Sequence, residues 1–566
     1  MKKRILCITA MCLVIALLSG CAEITAYFDR LSQMMGLSLV DFEDMEYTRP
    51  DMESFRRELD QCCADAAEER NFDDLQQLIL DFYAVYEDFY TNYFLANIHY
   101  SKDLTDTYWE EENTFCTENS PEVDAGLDRL YRALAKSPLR DKLEGDQFFG
   151  PDFFDDYEGE SIYDETFNAM LAKEAALVNQ YYTLSGQSGS TAYYSEEYFS
   201  IYGTQMADVF RDLVQVRQEM AAYAGYESFP EFAYDFHHVR DYTVEQADAY
   251  LSQIRDQLVP LYRQLNRSGF WDMELETSSE EQTFSFVQSM AHNMGGIMKE
   301  AFDAMADSHL YDISYGENKF DASFSVYLYT YGAPYVFVNP TMTEHDKLTF
   351  THEFGHFCNH YASYGSGAGV DVSEIFSQGL EYLSLCYTED SGNLEKIRMA
   401  TCLTTYVEQA AYASFERQVY GLTGDQLTVE NIQALYESIG TAYGFDSWGW
   451  DSRDYVCTSH FFTSPMYVVS YVVSNDAALQ LYQLEKSEKG TGLACYTENL
   501  TTMQPYFLAF LEEAGLRSPF APGRLEEVRQ TLEAVLGNNK ELPILSAVFC
   551  AIEVNCCLRC GMPPLN

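Results

Sequence analysis

The reading turns on Thr351-His352-Glu353-Phe354-Gly355-His356-Phe357, followed 18 residues after His356 by Glu374 within Val372-Ser373-Glu374-Ile375-Phe376-Ser377-Gln378. Two histidines four apart on a helix face the same way, one turn from each other, so their imidazoles converge on one point. Phe350, Phe354, Phe357 and Tyr361 fall on a different stripe. The helix can therefore pack into a core while the imidazoles hold an ion. Glu353 lies about 100° round the helix from His352, beside such an ion rather than on it. In a chain with only 10 His, this pattern predicts a zinc site with one ion per chain.

A catalytic zinc takes three protein ligands and keeps a fourth position open. Glu374 is the best third donor, because the glycines of Tyr364-Gly365-Ser366-Gly367-Ala368-Gly369 permit a tight return between two helices. His360, on the motif helix, and Glu381, two turns beyond Glu374, are the other donors within reach. Asp371 or Glu381 can instead orient an imidazole through its second nitrogen, a common duty around metal sites. Glu353 then stands as general base, taking the proton of an attacking water.

Outward from the motif the pattern changes. Ser323 to Tyr329 alternates loosely, and Tyr335-Val336-Phe337-Val338 is a short apolar run after Pro334. These predict strands of a small sheet, with Pro334 pointing to an edge position for the second. Elsewhere apolar residues recur at intervals of three and four. They predict helices over 51–69, 72–95, 122–142, 165–184, 205–225 and 243–265, then over 344–362, 372–386, 394–420, 428–439, 466–484 and 524–536. The Gly- and Ser-containing stretch 185–191 reads as a loop. A soft boundary near residue 200 separates an N-terminal helical domain, 21–200, from a catalytic domain, 201–538. Residues 539–566 form an unassigned tail, in which Cys557 and Cys560 have a ligand-like interval without a second pair.

Lys2, Lys3 and Arg4 precede an apolar run from Ile5 to Leu18, too short for a comfortable membrane span but suited to a signal peptide. Leu18-Ser19-Gly20-Cys21 is similar to the lipobox of bacterial lipoproteins. That resemblance implies a signal over 1–20, a lipid on Cys21, and a body tethered to the extracellular face of the cytoplasmic membrane. The 35 basic and 89 acidic residues give a formal net charge of −54, which repels nucleic acid and excludes it as a partner. The acid-rich stretches 51–69 and 152–160 are solvated faces or an attraction for cationic peptides. Fifteen cysteines less Cys7, Cys12 and Cys21 leave twelve, scattered, and they read as free thiols rather than a disulfide framework.

The string His352-Glu353-Phe354-Gly355-His356 with the Glu374 segment resembles the M3 metallopeptidases, the thimet oligopeptidase and oligoendopeptidase F group. The family's His-Glu-x-x-His helix and Glu-x-x-Ser-Gln segment match at His352, His356, Glu374, Ser377 and Gln378, with Phe376 where proline is usual. Asn318-Lys319-Phe320-Asp321-Ala322 partly resembles an oligoendopeptidase F segment, with Asp321 for glycine. The likeness returns at His460-Phe461-Phe462 and Pro465-Met466-Tyr467-Val468-Val469-Ser470-Tyr471, and runs over roughly 200–536.

The resemblance implies a mainly α, zincin-like fold: two helical lobes around a deep cleft, with a small β-sheet near the active site. It implies an edge strand, Tyr335, Val336, Phe337 and Val338, that holds the peptide backbone. It also implies that His460 with Tyr467 or Tyr471 steadies the transition state of an endopeptidase acting on short unstructured peptides. Met466 and Val469 stand where the family often has aromatic residues, so the choice of tyrosine stays open. As residues four apart on a helix, both tyrosines can equally be core. Two rival readings remain: a zinc carboxypeptidase of related helical fold, and a lipid-anchored peptide-binding protein without catalysis. The helix-rich pattern speaks against the second, since such binders usually alternate strands and helices.

Overall fold

The computed structural model describes residues 39–536, apart from 68–70, 145–148, 150–152, 160, 189–193, 271–274, 366–367, 390–391 and 446–449. Cys21, the apolar leader and the cysteines of the tail lie outside the described residues. Apolar spacing builds the N-terminal part from four long helices: Met52–Ala66, Phe72–Lys102, Thr107–Ala135 and Glu165–Ser188. Asp51 and Asp106 cap the first and third, each accepting two backbone N–H groups that the first turn leaves unpaired. Phe55, Leu59, Leu75, Ile79, Phe82, Val123 and Leu130 are buried between them. Fully burying one such side chain contributes about 1.5–3 kcal/mol.

Two expectations shift here. The helix predicted over 122–142 begins at Thr107, and Pro121 sits inside it. Proline offers no N–H to the carbonyl four residues back, and the Ser120 hydroxyl takes that place, donating to the Thr117 carbonyl at 3.1 Å. The stretch 185–191, expected as a loop, is helical through Ser188.

Beyond residue 200 the helices continue through Thr204–Tyr223, Val244–Gln257 and Val259–Arg267, the last two split just before Pro260. A three-stranded sheet then interrupts them, in the order β1 (Tyr311–Asp312), β3 (Ala333–Val338), β2 (Ser323–Leu328). β3 runs antiparallel to β2 over its whole length and parallel to β1 at Val336 and Phe337. Every residue of β3 is buried.

Three helices position the site: the motif helix Asp346–Ser363, the second ligand helix Val370–Tyr387, and Val469–Ser487, which packs along the latter. The motif helix ends at Tyr364 and Gly365, with φ of 55° and 70°. A side chain pays for that conformation, and glycine adopts it freely. The two ligand helices touch backbone to backbone at Gly355. A Cβ there would sit 2.6 Å from the Phe376 carbonyl oxygen and 2.7 Å from the Ser377 Cα.

Candidate metal centre and active site

The close approach at Gly355 brings Glu374 under the two imidazoles. His352 Nε2 lies 3.5 Å from Glu374 Oε2, and His356 Nε2 lies 3.8 Å from Glu374 Oε1. The ligand atoms of these three residues all fall within 4.8 Å of one another, the only such group among the described residues. Two imidazoles and a carboxylate converging on one point, inside the protein, form the donor set of a catalytic zinc. The residues present therefore fit that ion.

Each donor is oriented from behind. His352 Nδ1 meets Glu381 Oε1 at 2.9 Å, and the other oxygen of Glu381 lies 3.0 Å from Arg398 Nε. Arg398 in turn stacks over the Tyr382 ring at 3.8 Å. His356 Nδ1 meets the Ser373 hydroxyl at 3.1 Å. Ser377 and Tyr467 each donate a hydroxyl to Glu374, both at 2.8 Å. Gln378 donates to the Tyr471 carbonyl at 3.3 Å, tying the second ligand helix to the helix behind it. Burial works against a charged His352, but Glu381 and Glu374 outweigh it and hold the imidazole up at about 9. Such partners fix ring orientation and raise ligand basicity.

Glu353 sits beside the donors. It is fully buried, and neither carboxylate oxygen has a partner at ordinary hydrogen-bond geometry, the Ser323 hydroxyl being the donor that bears on it. Burial pushes its pKa up to about 7, against the opposing pull of His352. A buried carboxyl so sparsely supplied with donors is costly, and persists where it is kept to exchange a proton. On the far side, His460 Nε2 meets the Tyr471 hydroxyl at 3.1 Å, and the Tyr467 and Tyr471 rings lie 5.4 Å apart. His352, Glu353, Glu374 and His460 are at most 1% exposed, whereas Tyr467 is half-buried.

The structure thus brings His352, Glu353, His356, Glu374, Glu381, His460, Tyr467 and Tyr471 together. Two expectations are corrected. Asp371 touches no imidazole: its carboxylate binds the Arg240 guanidinium at 3.2 Å and accepts the Tyr242 hydroxyl at 2.9 Å. Ser373 does for His356 what Asp371 was expected to do. The run Tyr335, Val336, Phe337 and Val338 is not an edge, because β1 and β2 flank β3. Its β1 side is also engaged, since Val336 N–H donates to the Leu310 carbonyl and Lys319 Nζ to the Val338 carbonyl. The edge beside the motif helix is β2, where no third strand pairs with the outer side of Ser323–Leu328 among the described residues. His360 falls outside the ligand group, with its ring 6.2 Å from that of Tyr327. Sequence reasoning missed Ser373 and Arg398, whose types and spacing carry no metal signal. None of the eight described cysteines forms a disulfide, in keeping with their scatter.

The helical fold described above is similar to those of several solved peptidases. Residues 42–161 match the Peptidase M3 N-terminal domain. The whole fold matches PZ peptidase A, solved with an inhibitor, at 20% identity and a TM-score of 0.79, covering 88% of this chain and 99% of that one. It likewise matches a protein assigned as oligoendopeptidase F from Bacillus anthracis str. Ames, at 22% identity and a TM-score of 0.76, over 88% and 98% of the two chains. Trypanosoma cruzi metallocarboxypeptidase 1 shares the fold more distantly, at 13% identity and a TM-score of 0.51, over 86% and 100%. No curated protein matches the sequence.

Proposed function

We propose that the chain is a zinc-dependent endopeptidase of the M3 type, cleaving short unstructured peptides. The observation that supports this above all is the buried His352, His356 and Glu374 group with the buried carboxylate of Glu353, its pKa raised by burial, beside it. Those three residues would hold a zinc ion, which would supply Lewis acidity to the reaction. Glu353 takes the proton of the attacking water and delivers it to the departing amine, a transfer suited to a carboxyl poised near neutrality. Tyr467 and Tyr471, with His460 against the latter, offer hydroxyl donors to the oxygen on which charge develops. A peptide entering as an extended strand pairs its backbone with the outer edge of β2, which no strand occupies among the described residues. An acidic exterior, from a net charge of −54, favours cationic peptides.

The decisive experiment changes Glu353→Gln. The variant keeps one zinc per chain while peptide hydrolysis falls by about 10²–10⁴-fold. Cleavage at a rate within a few-fold of wild type overturns the mechanism.

A second reading, carboxypeptidase action, draws support from the fold shared with a metallocarboxypeptidase. Product analysis decides: internal cuts in end-blocked quenched peptides support endopeptidase action, and release of single C-terminal residues supports the alternative. We further propose lipid anchoring through Cys21 on the outer face of the cytoplasmic membrane, which Cys21→Ala tests by release of the protein into the medium. Among the described residues no helix is long and apolar enough to cross a membrane.

A further inference from the structure

The segment that carries Tyr467 is held by its backbone, and the side chains that hold it come from distant parts of the chain. Met466 has a φ of 63°, a conformation that a residue with a Cβ adopts only when its surroundings impose it. Its N–H donates to Glu416 Oε1 at 2.8 Å, and its carbonyl accepts Arg240 Nη1 at 2.9 Å. The preceding carbonyl, of Pro465, meets His238 Nε2 at 2.9 Å, and since a carbonyl only accepts, that nitrogen carries the proton. Arg240 then reaches forward with Nη2 to the Ser470 hydroxyl at 2.8 Å, one residue before Tyr471. Its remaining edge faces Asp371, in the first turn of the helix that bears Glu374.

Arg240 is therefore a buried fork with one tine on the backbone before Tyr467, one beside Tyr471, and its base on the helix of a metal ligand. We propose that Arg240 is a positioning residue: it fixes both tyrosine hydroxyls relative to Glu374 by holding Pro465–Met466 in its left-handed turn. This rests on the peptidase reading, in which those hydroxyls act on the reacting peptide. Arginine is required because the separate nitrogens of a rigid, planar guanidinium reach the Met466 carbonyl, the Ser470 hydroxyl and Asp371 in different places, whereas the donors of a lysine ammonium all radiate from one nitrogen. Its effect is on the rate of the chemical step, since the hydroxyls matter more as charge develops than when substrate first binds.

The test compares wild type with Arg240→Lys and with the double variant Arg240→Met/Asp371→Asn. The second removes both members of the buried pair and so avoids leaving an unpaired charge behind. The expected result for the double variant is a Tm near that of wild type and one zinc per chain. Its kcat falls by about 100-fold and its KM stays within about 3-fold. Amide hydrogen exchange over residues 464–470 is expected to rise by about 10-fold or more in both variants. Recovery of kcat together with Tm makes the arginine merely structural and overturns the proposal, as does unchanged exchange in that segment. A wild-type protein that binds zinc but cleaves no peptide overturns the peptidase reading instead, and the exchange measurement then decides on the clamp alone.

Discussion

Gly355→Ala adds one methyl group where the two ligand helices meet. Its Cβ falls 2.6 Å from the Phe376 carbonyl oxygen and 2.7 Å from the Ser377 Cα, both backbone atoms with no rotamer to give way. Ordinary contact begins near 3.4 Å, so the helices must part by 3.4 less 2.6, or about 0.8 Å. Zinc tolerates departures of only about 0.2 Å in its ligand distances. Glu374 rides on the helix that is pushed away, so the donor set opens by several times that tolerance. Zinc affinity should fall by about 10–100-fold, the loss typical when the groups orienting a metal ligand are disturbed. Alanine by itself gains about 1 kcal/mol over glycine inside a helix, and overpacking costs about 1–3 kcal/mol. The metal-free variant should therefore come out less stable than wild type or level with it, and not more stable. Competition against a chelator measures the first quantity, and thermal unfolding of the chelated protein the second. Zinc affinity within about 2-fold of wild type, together with a more stable metal-free protein, refutes the reasoning.

Three further outcomes follow from the same geometry. Glu374→Ala should abolish stoichiometric zinc binding, and unchanged affinity by metal analysis removes Glu374 from the ligand set. Tyr467→Phe and Tyr471→Phe separate the two hydroxyls: loss of the one serving as oxyanion donor should lower kcat by about 10²–10³-fold with little change in KM. Equal and slight effects in steady-state kinetics would make both tyrosines core residues. Glu416, buried at the Met466 amide, has its pKa pushed up by burial to about 8 from an ordinary 4.5. Between those values the folded protein binds the extra proton, so this group makes stability fall as pH rises from about 4.5 to about 8. Glu416→Gln keeps an acceptor for the amide and should flatten that slope in denaturant unfolding between pH 5 and pH 8, as a ratio to wild type. A slope identical to wild type would show that Glu416 ionises normally.

The chemistry was legible because it is local. His352 and His356 declare a shared face by their spacing, and Glu353 its offset, before any tertiary contact is known. Glu374 needed only one helix hairpin to reach them. The sheet was harder. The position of β3 depends on β1, whose two residues are too few to show alternation, so nothing in the run Tyr335–Val338 said that it would be covered on both sides. The helix Thr107–Ala135 was half hidden because Glu110, Glu111 and Glu112 and then Pro121 break the apolar rhythm of its first turns. Asp371 was read as a partner of histidine because both lie near the motif. Its true partner, Arg240, is 131 residues away, and only the fold brings them together. The same holds for His238 and Pro465: contacts between a polar side chain and a distant backbone carbonyl leave no periodic trace.

The position of β2 at the sheet's edge bears on which peptides are refused. In an extended strand, amides point alternately toward the neighbouring strand and away from it. A peptide that pairs with Ser323–Leu328 as proposed is therefore inspected at every second amide and ignored at those between. Proline or an N-methyl group at an inspected position leaves a β2 carbonyl without its donor, while the same change one residue along leaves the ladder whole. Selectivity would then have a period of two residues, written in backbone nitrogens rather than in side chains, and a proline walked through one substrate would trace it as alternating resistance and cleavage.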